Sequence, residues 1–227
     1  MDRLIARELM DDEGAAAPPV WHGMFRELAR VNRFLGGWTA LRAEVDRLPV
    51  APQSILDVAA GGADLSARLV QYLATRGVAA DCTALDRSQP ALDAAARAQQ
   101  GREGVRFVRG DARRLEFADH SFDLAMMNLA LHHFDGADAV VVLRELARVG
   151  RRVIVNDLRR SAIAWALASV AFPILTTNPL VRNDAPLSVR RAYTPAELRE
   201  LAREAGWRTA AVRTHPWYRM TLVSGLA

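Results

Sequence analysis

The chain has no lysine: all 30 of its basic residues are arginine. Arginine stays charged far above pH 10, so a sequence pI of about 10.1 overstates a formal net charge of only +4. No basic domain is appended, and arginine-for-lysine usage together with abundant alanine reads as the bias of a GC-rich genome. A nucleic-acid partner is not expected. Cysteine is almost missing too. Cys82 alone excludes an intrachain disulfide and fits a reducing compartment. No apolar run reaches the roughly 20 residues of a membrane-spanning helix, and Met1-Asp2-Arg3-Leu4 lacks the basic-then-apolar layout of a signal peptide. A cytoplasmic location is expected. Repeats and low-complexity tracts are absent. What remains is 51% hydrophobic and 25% charged over 227 residues, the make-up of one globular domain with room for a small accessory part.

The stretch that organises the rest is Ile55-Leu56-Asp57-Val58-Ala59-Ala60-Gly61-Gly62-Ala63-Asp64-Leu65. An apolar strand breaks at small residues, and a helical pattern follows through Leu65, Leu69, Tyr72 and Leu73. Strand, small-residue turn and helix start together bring backbone N–H groups close to a ligand. A dinucleotide fingerprint requires three glycines that seat a pyrophosphate. Here Asp57 stands at the strand end instead, and a carboxylate repels phosphate and suits a cation or an amine.

This stretch resembles motif I of the class I S-adenosylmethionine (SAM)-dependent methyltransferases, and most closely the version Asp-x-Ala-Gly-Gly-Thr-Gly-Asp-Leu of the ubiquinone/menaquinone-biosynthesis methyltransferases. Ala60, Gly62 and Ala63 depart from that version. Ala63 opens a helix and is expected to cost little; Ala60 is the change that requires a φ alanine can hold. The resemblance runs over roughly residues 25–225. It implies an α/β, Rossmann-like fold with a mostly parallel seven-stranded sheet in the order 3-2-1-4-5-7-6, helices on both faces, N-terminal helices and a lid insertion. It also implies that Asp57, Ala59, Ala60, Gly61 and Asp64 contact SAM.

Taken in order, residues 3–10 are read as a short helix and 11–19 as a linker. Residues 22–34 and 38–48 follow as two helices broken at Gly36-Gly37. In the family these helices cover the cofactor; read from their pattern alone, they only close one side of the sheet. A helical cap at 1–50 and a SAM-binding domain at 51–227 are therefore expected. Strands are read at 54–58, about 80–86, 105–109, 121–128 and 151–157. Asp86 ends the second strand on the edge where open α/β sheets bind ligands. The resemblance gives it the ribose hydroxyls and lays Arg87 along the adenine. Gly110-Asp111-Ala112 matches the family's adenine turn, with Asp111 accepting from the exocyclic amine and the Ala112 N–H serving a ring nitrogen. Asn128 is placed at the methionine end.

His132 and His133 follow in Leu-His-His, and histidine titrates near neutrality. Either is a candidate catalytic base; local structure or cofactor contact by His133 stays open beside that role. No metal site is expected, on the ground that adjacent side chains diverge and no carboxylate partner is evident. Asn156 and Asp157, ending the fifth strand, are candidates to orient the substrate or accept a proton.

Residues 159–192 form an insertion that is almost wholly apolar at 161–172 and is expected to break at Pro173. Between the fifth strand and the next helix it reads as a substrate lid, and an apolar lid implies an apolar acceptor, aromatic, quinone-like, polyketide-like or prenylated. A dimer surface or peripheral membrane contact is compatible with it, so monomer and homodimer both stay open. Thr194-Pro195-Ala196-Glu197 is a capping box ahead of a helix that Gly206 ends. Two last strands flank His215-Pro216-Trp217 and match the antiparallel hairpin that separates this fold from dehydrogenases.

The activity implied is in-line methyl transfer from SAM, leaving S-adenosylhomocysteine, to an oxygen or carbon of a small apolar molecule. It needs alignment, plus deprotonation of a phenol or enol. An RNA or protein substrate is the alternative, against which no Asn-Pro-Pro-aromatic motif follows the fourth strand. A SAM-binding protein without turnover is the other.

Overall fold

The computed structural model describes residues 1–12, 14–100 and 103–224. Strands β1 (Ser54–Val58), β2 (Asp81–Asp86), β3 (Val105–Arg109), β4 (Phe122–Asn128), β5 (Gly150–Leu158), β6 (Ala210–His215) and β7 (Arg219–Ser224) form one sheet. Its order is β3-β2-β1-β4-β5-β7-β6, as the resemblance implied. The first five strands pair in parallel, and β7 runs antiparallel between β5 and β6. The sheet order reverses at β1 and β4, so the carboxyl ends of these strands open a crevice.

Helices α1 (Pro18–Phe34), α2 (Gly37–Val45), α3 (Asp64–Thr75), α4 (Gln89–Ala98), α5 (Gly136–Val149), α6 (Ala162–Leu175), α7 (Pro179–Arg191) and α8 (Pro195–Glu204) surround it. Side chains alternate across each strand, and the two faces have separate cores. Ile55, Leu124, Met126 and Ile154 pack with Leu65 and Leu69 of α3 and Leu41 of α2. Leu56, Val58, Met127 and Val155 pack with Leu143 and Leu146 of α5 and Leu198 of α8. The helices start where their caps direct. The Ser88 hydroxyl accepts from the Ala91 N–H, and Thr194 and Glu197 close the capping box.

Three local expectations fail. Residues 3–10 do not form a helix; a single 3-10 turn, Leu9–Asp11, replaces it. The N–H groups of Leu9 and Met10 bond to the Asp184 carboxylate of α7, and the Leu4 N–H bonds to the Arg190 carbonyl, so tertiary partners take donors that a helix would use. The linker read at 11–19 is cut short, because α1 begins at Pro18 with proline in its first turn, where no N–H is needed. Pro173 does not break α6, which runs on to Leu175. It lies in the last turn, where one missing rung is all it costs.

The insertion folds as α6 and α7 packed on each other, and α7 also meets α1. No helix among the described residues is long and apolar enough to cross a membrane.

Candidate functional site

The turn after β1 is tighter than its sequence suggests. Ala59 and Ala63 both hold left-handed conformations (φ 56° and 52°), as does Gly61 (53°), whereas Ala60 does not. Ala60 thus avoids the left-handed region, as its alanine requires, while the strain falls on Ala59 and, against expectation, on Ala63. Each left-handed alanine costs about 1–2 kcal/mol. The turn is held by bonds from the Ala60 N–H to the Leu85 carbonyl and from the Ala63 N–H to the Ala60 carbonyl. Gly61 and Gly62 are required for a further reason: a Cβ on either would come within 3.1 Å of the Phe25 ring from α1. The first helix thus lies directly over the turn.

Below the turn, Asp57 is buried at the end of β1. The Ser66 hydroxyl of α3 donates to it at 2.5 Å, and the Asn128 amide of β4 at 3.2 Å. Asn156 of β5 donates in turn to Asn128, at 3.1 Å. Asp57, Asn128 and Asn156 are neighbours because β1, β4 and β5 end together at this edge. Burial pushes the Asp57 carboxyl up to about 7, against the two hydrogen bonds that favour its ionised form. Burial also raises Asp64, whose carboxylate accepts from Asn32 of α1, and Asp86, which accepts from the N–H groups of Gly61 (2.8 Å) and Ser88 (2.9 Å). Among the described residues none of these acids is ion-paired. Arg68 and Arg219 act on Asp64 from a distance, and the crevice floor remains electronegative, a setting that favours a cationic or proton-donating ligand.

Arg87, Asp111 and Ala112 lie at the β2 and β3 end of the same crevice. Asp111 is half-exposed and paired with Arg113 at 2.7 Å, which holds its carboxyl below the usual range.

The histidines occupy the opposite wall and do not diverge: their rings lie 4.4 Å apart. His132 Nδ1 meets the Asp157 carboxylate at 2.7 Å, and Asp157 also accepts the His132 N–H. His133 Nδ1 meets Asp11 at 2.8 Å, and Arg191 fixes the other oxygen of Asp11. Both acids are held below the usual carboxylate range despite burial, Asp157 by His132 and Asp11 by His133 and Arg191. Each ring therefore donates from Nδ1, and in the neutral imidazole Nε2 keeps its lone pair. Two expectations are corrected here. The histidines have carboxylate partners, and Asp157 does not line the cavity but stands behind His132.

Glu8 and Asp11 carry no sequence signal for this role. They fall in stretches read as a short helix and a linker, and their partners are more than 120 positions away. Burial pushes the Glu8 carboxyl up to about 7.

Asp11, Asp57, Asp64, Asp86, Arg87, Asp111, Ala112, Asn128, His132 and His133 face one cavity of about 1150 Å³. Glu8, Ser66, Asp157 and Asn156 do not line it, and Asn156, a candidate to orient substrate, instead donates to the Gly37 carbonyl and Asn128. Its roof is α6 with the apolar face of α1: Leu167, Ala168, Phe172 and Leu175 from the former, Phe25, Leu28 and Val31 from the latter. Leu167 and Leu175 are also well exposed, so the roof reaches the surface.

A methyltransferase-domain family (Methyltransf_25) matches residues 55–167. The chain is 32% identical to a demethylmenaquinone methyltransferase of Beutenbergia cavernae, over 84% of each chain. It belongs to the class I SAM-dependent methyltransferases, and its cofactor is SAM. Within that class it is similar to the quinone-biosynthesis group. A demethylmenaquinone methyltransferase of Thermotoga maritima is 30% identical over 70% of this chain and 72% of its own. Among solved structures, the plantazolicin methyltransferase BpumL with S-adenosylhomocysteine shares the fold at TM-score 0.67 and 15% identity, over 92% of this chain and 90% of that one. The donor set fits a sulfonium cofactor: buried acids without a cationic partner stand at the strand edge, and a turn too tight for larger side chains lies beside them.

Proposed function

We propose that the chain methylates an oxygen or carbon of an apolar, quinone-like small molecule. The observation that carries this reading is the roof: the cavity with the acidic floor is closed above by an apolar lid, α6, that bears no charged side chain. The names of the relatives agree with it.

When bound, SAM supplies a methyl group on a positively charged sulfur. Asp86 would take the ribose hydroxyls, Arg87, Asp111 and Ala112 the adenine, and Asp57, Asp64 and Asn128 the cationic methionine end. Backbone at Ala59, Ala60 and Gly61 lines the same site. His132 and His133 are the proton acceptors of the wall, through Nε2, and His133, the more exposed, also reaches toward the cofactor. Asp157 and Asp11 are positioning residues that keep each ring donating from Nδ1. Removing a proton from a phenol near its own pKa needs only a weak base, so the pair orients as much as it deprotonates.

The test is calorimetric titration with SAM, against Asp86→Ala. Micromolar binding that the variant loses is expected, followed by methylated product from quinols or phenols, read by mass spectrometry. SAM binding with no product across that panel would overturn the acceptor class.

A further inference from the structure

We propose that Glu8, His132 and His133 form a binding site for a divalent first-row transition-metal ion, between the N-terminal segment and the loop after β4. The histidine Nε2 atoms make no hydrogen bond among the described residues. They face the two oxygens of the Glu8 carboxylate, at 3.8 Å from His132 and 3.7 Å from His133. One ligand atom from each of the three residues can be chosen so that all lie within 4.8 Å of one another. At that separation neither nitrogen hydrogen-bonds to the carboxylate, whether or not it carries a proton. Metal–nitrogen bonds of about 2.0 Å would close it by drawing each side chain in by less than about 1 Å.

Three further observations point the same way. Glu8 is 2% exposed, and its Oε2 has no hydrogen-bond partner, a costly state for a carboxylate oxygen unless a cation completes it. Each histidine is already braced from behind by a carboxylate on Nδ1, the arrangement that orients metal-bound imidazoles. The local charge is negative. Glu8, Asp11, Asp157 and Asp184 stand against Arg191, which meets Glu8 and Asp11, and against Arg219, which lies in the field of Asp157. A dication offsets the excess of acid over guanidinium.

Two imidazoles and one carboxylate suit borderline ions such as Zn²⁺, Co²⁺ or Fe²⁺ better than Mg²⁺ or Ca²⁺. Glu8 comes from the N-terminal segment, so the ion would tie that segment to the cavity wall. Bound there, the ion would take the Nε2 lone pairs otherwise offered to a substrate proton, and would present a Lewis acid in their place; that consequence for catalysis rests on the methyl-transfer reading, while binding does not.

The experiment uses the full chain, stripped with a chelator and titrated with Co²⁺ by visible absorption and with Zn²⁺ by calorimetry. One equivalent is expected, with affinity at least tenfold weaker in Glu8→Gln and in His133→Gln, both folded by circular dichroism, and with SAM affinity unchanged in Glu8→Gln. Absence of both the Co²⁺ band and Zn²⁺ heat in the unmodified protein overturns the site, as does binding that both variants retain in full. Failure to bind SAM would instead strike the methyl-transfer reading and leave the metal result intact.

Discussion

Replacing Asp57 by asparagine separates what this carboxylate does for the fold from what it does for the ligand. Asparagine keeps the shape and both hydrogen bonds: its carbonyl accepts from Asn128, and its amide donates to the Ser66 hydroxyl. It removes a charge that burial penalises. The shift from 3.8 to about 7 corresponds to roughly 4 kcal/mol of differential stability. The sign follows from linkage. Because the folded pKa is raised, the acid's contribution is intact below the unfolded value of 3.8 and is lost as pH rises through about 7. The melting temperature of Asp57→Asn relative to the parent should therefore climb between those two values and then level off. A gain of about 2–4 kcal/mol is expected on the plateau, which is at least ~4 °C for a domain of this size. SAM binding should move the other way, weakening by roughly 10–100-fold for the loss of a charged contact. In the parent it should tighten with pH through the same range. Differential scanning fluorimetry of both proteins across pH, with and without SAM, reads all of this. A melting difference that stays flat with pH, or a variant less stable above pH 7, would refute the burial argument.

Ala59→Gly should relieve a left-handed alanine and, after the entropy cost of glycine, raise stability by roughly 0.5–1 kcal/mol in a thermal melt. Thr194→Ala removes the capping box of α8 and should cost about 1 kcal/mol, or about 2–4 °C in melting temperature. Leu167→Asn, on the exposed part of the roof, should raise the KM for a quinol several-fold while leaving calorimetric SAM affinity as it is. Asp157→Asn frees His132 Nδ1 from its fixed donor role and should lower kcat well over tenfold with little change in SAM affinity.

Much of this molecule is legible without coordinates. The alternation of apolar strands and amphipathic helices, the small-residue turn after Asp57, and the acids at the ends of β1 and β2 are all local patterns. A parallel sheet with right-handed crossovers must bring such strand ends to one edge. That is why Asp57, Asp86, Asp111 and Asn128 were identifiable and do face one cavity. Tertiary structure alone decided which alanine of the turn is strained, because that depends on where the Leu85 carbonyl and the Phe25 ring stand. It also moved Asp157 from the cavity wall to the back of His132. Above all it delivered Glu8 and Asp11 to the histidines. Glu8 accepts from Ser188 of α7, and Asp11 accepts from Arg191 of α7 and meets His133 in a loop more than 120 positions away. Periodicity records which face of a segment is buried, but not what a distant carboxylate is buried against.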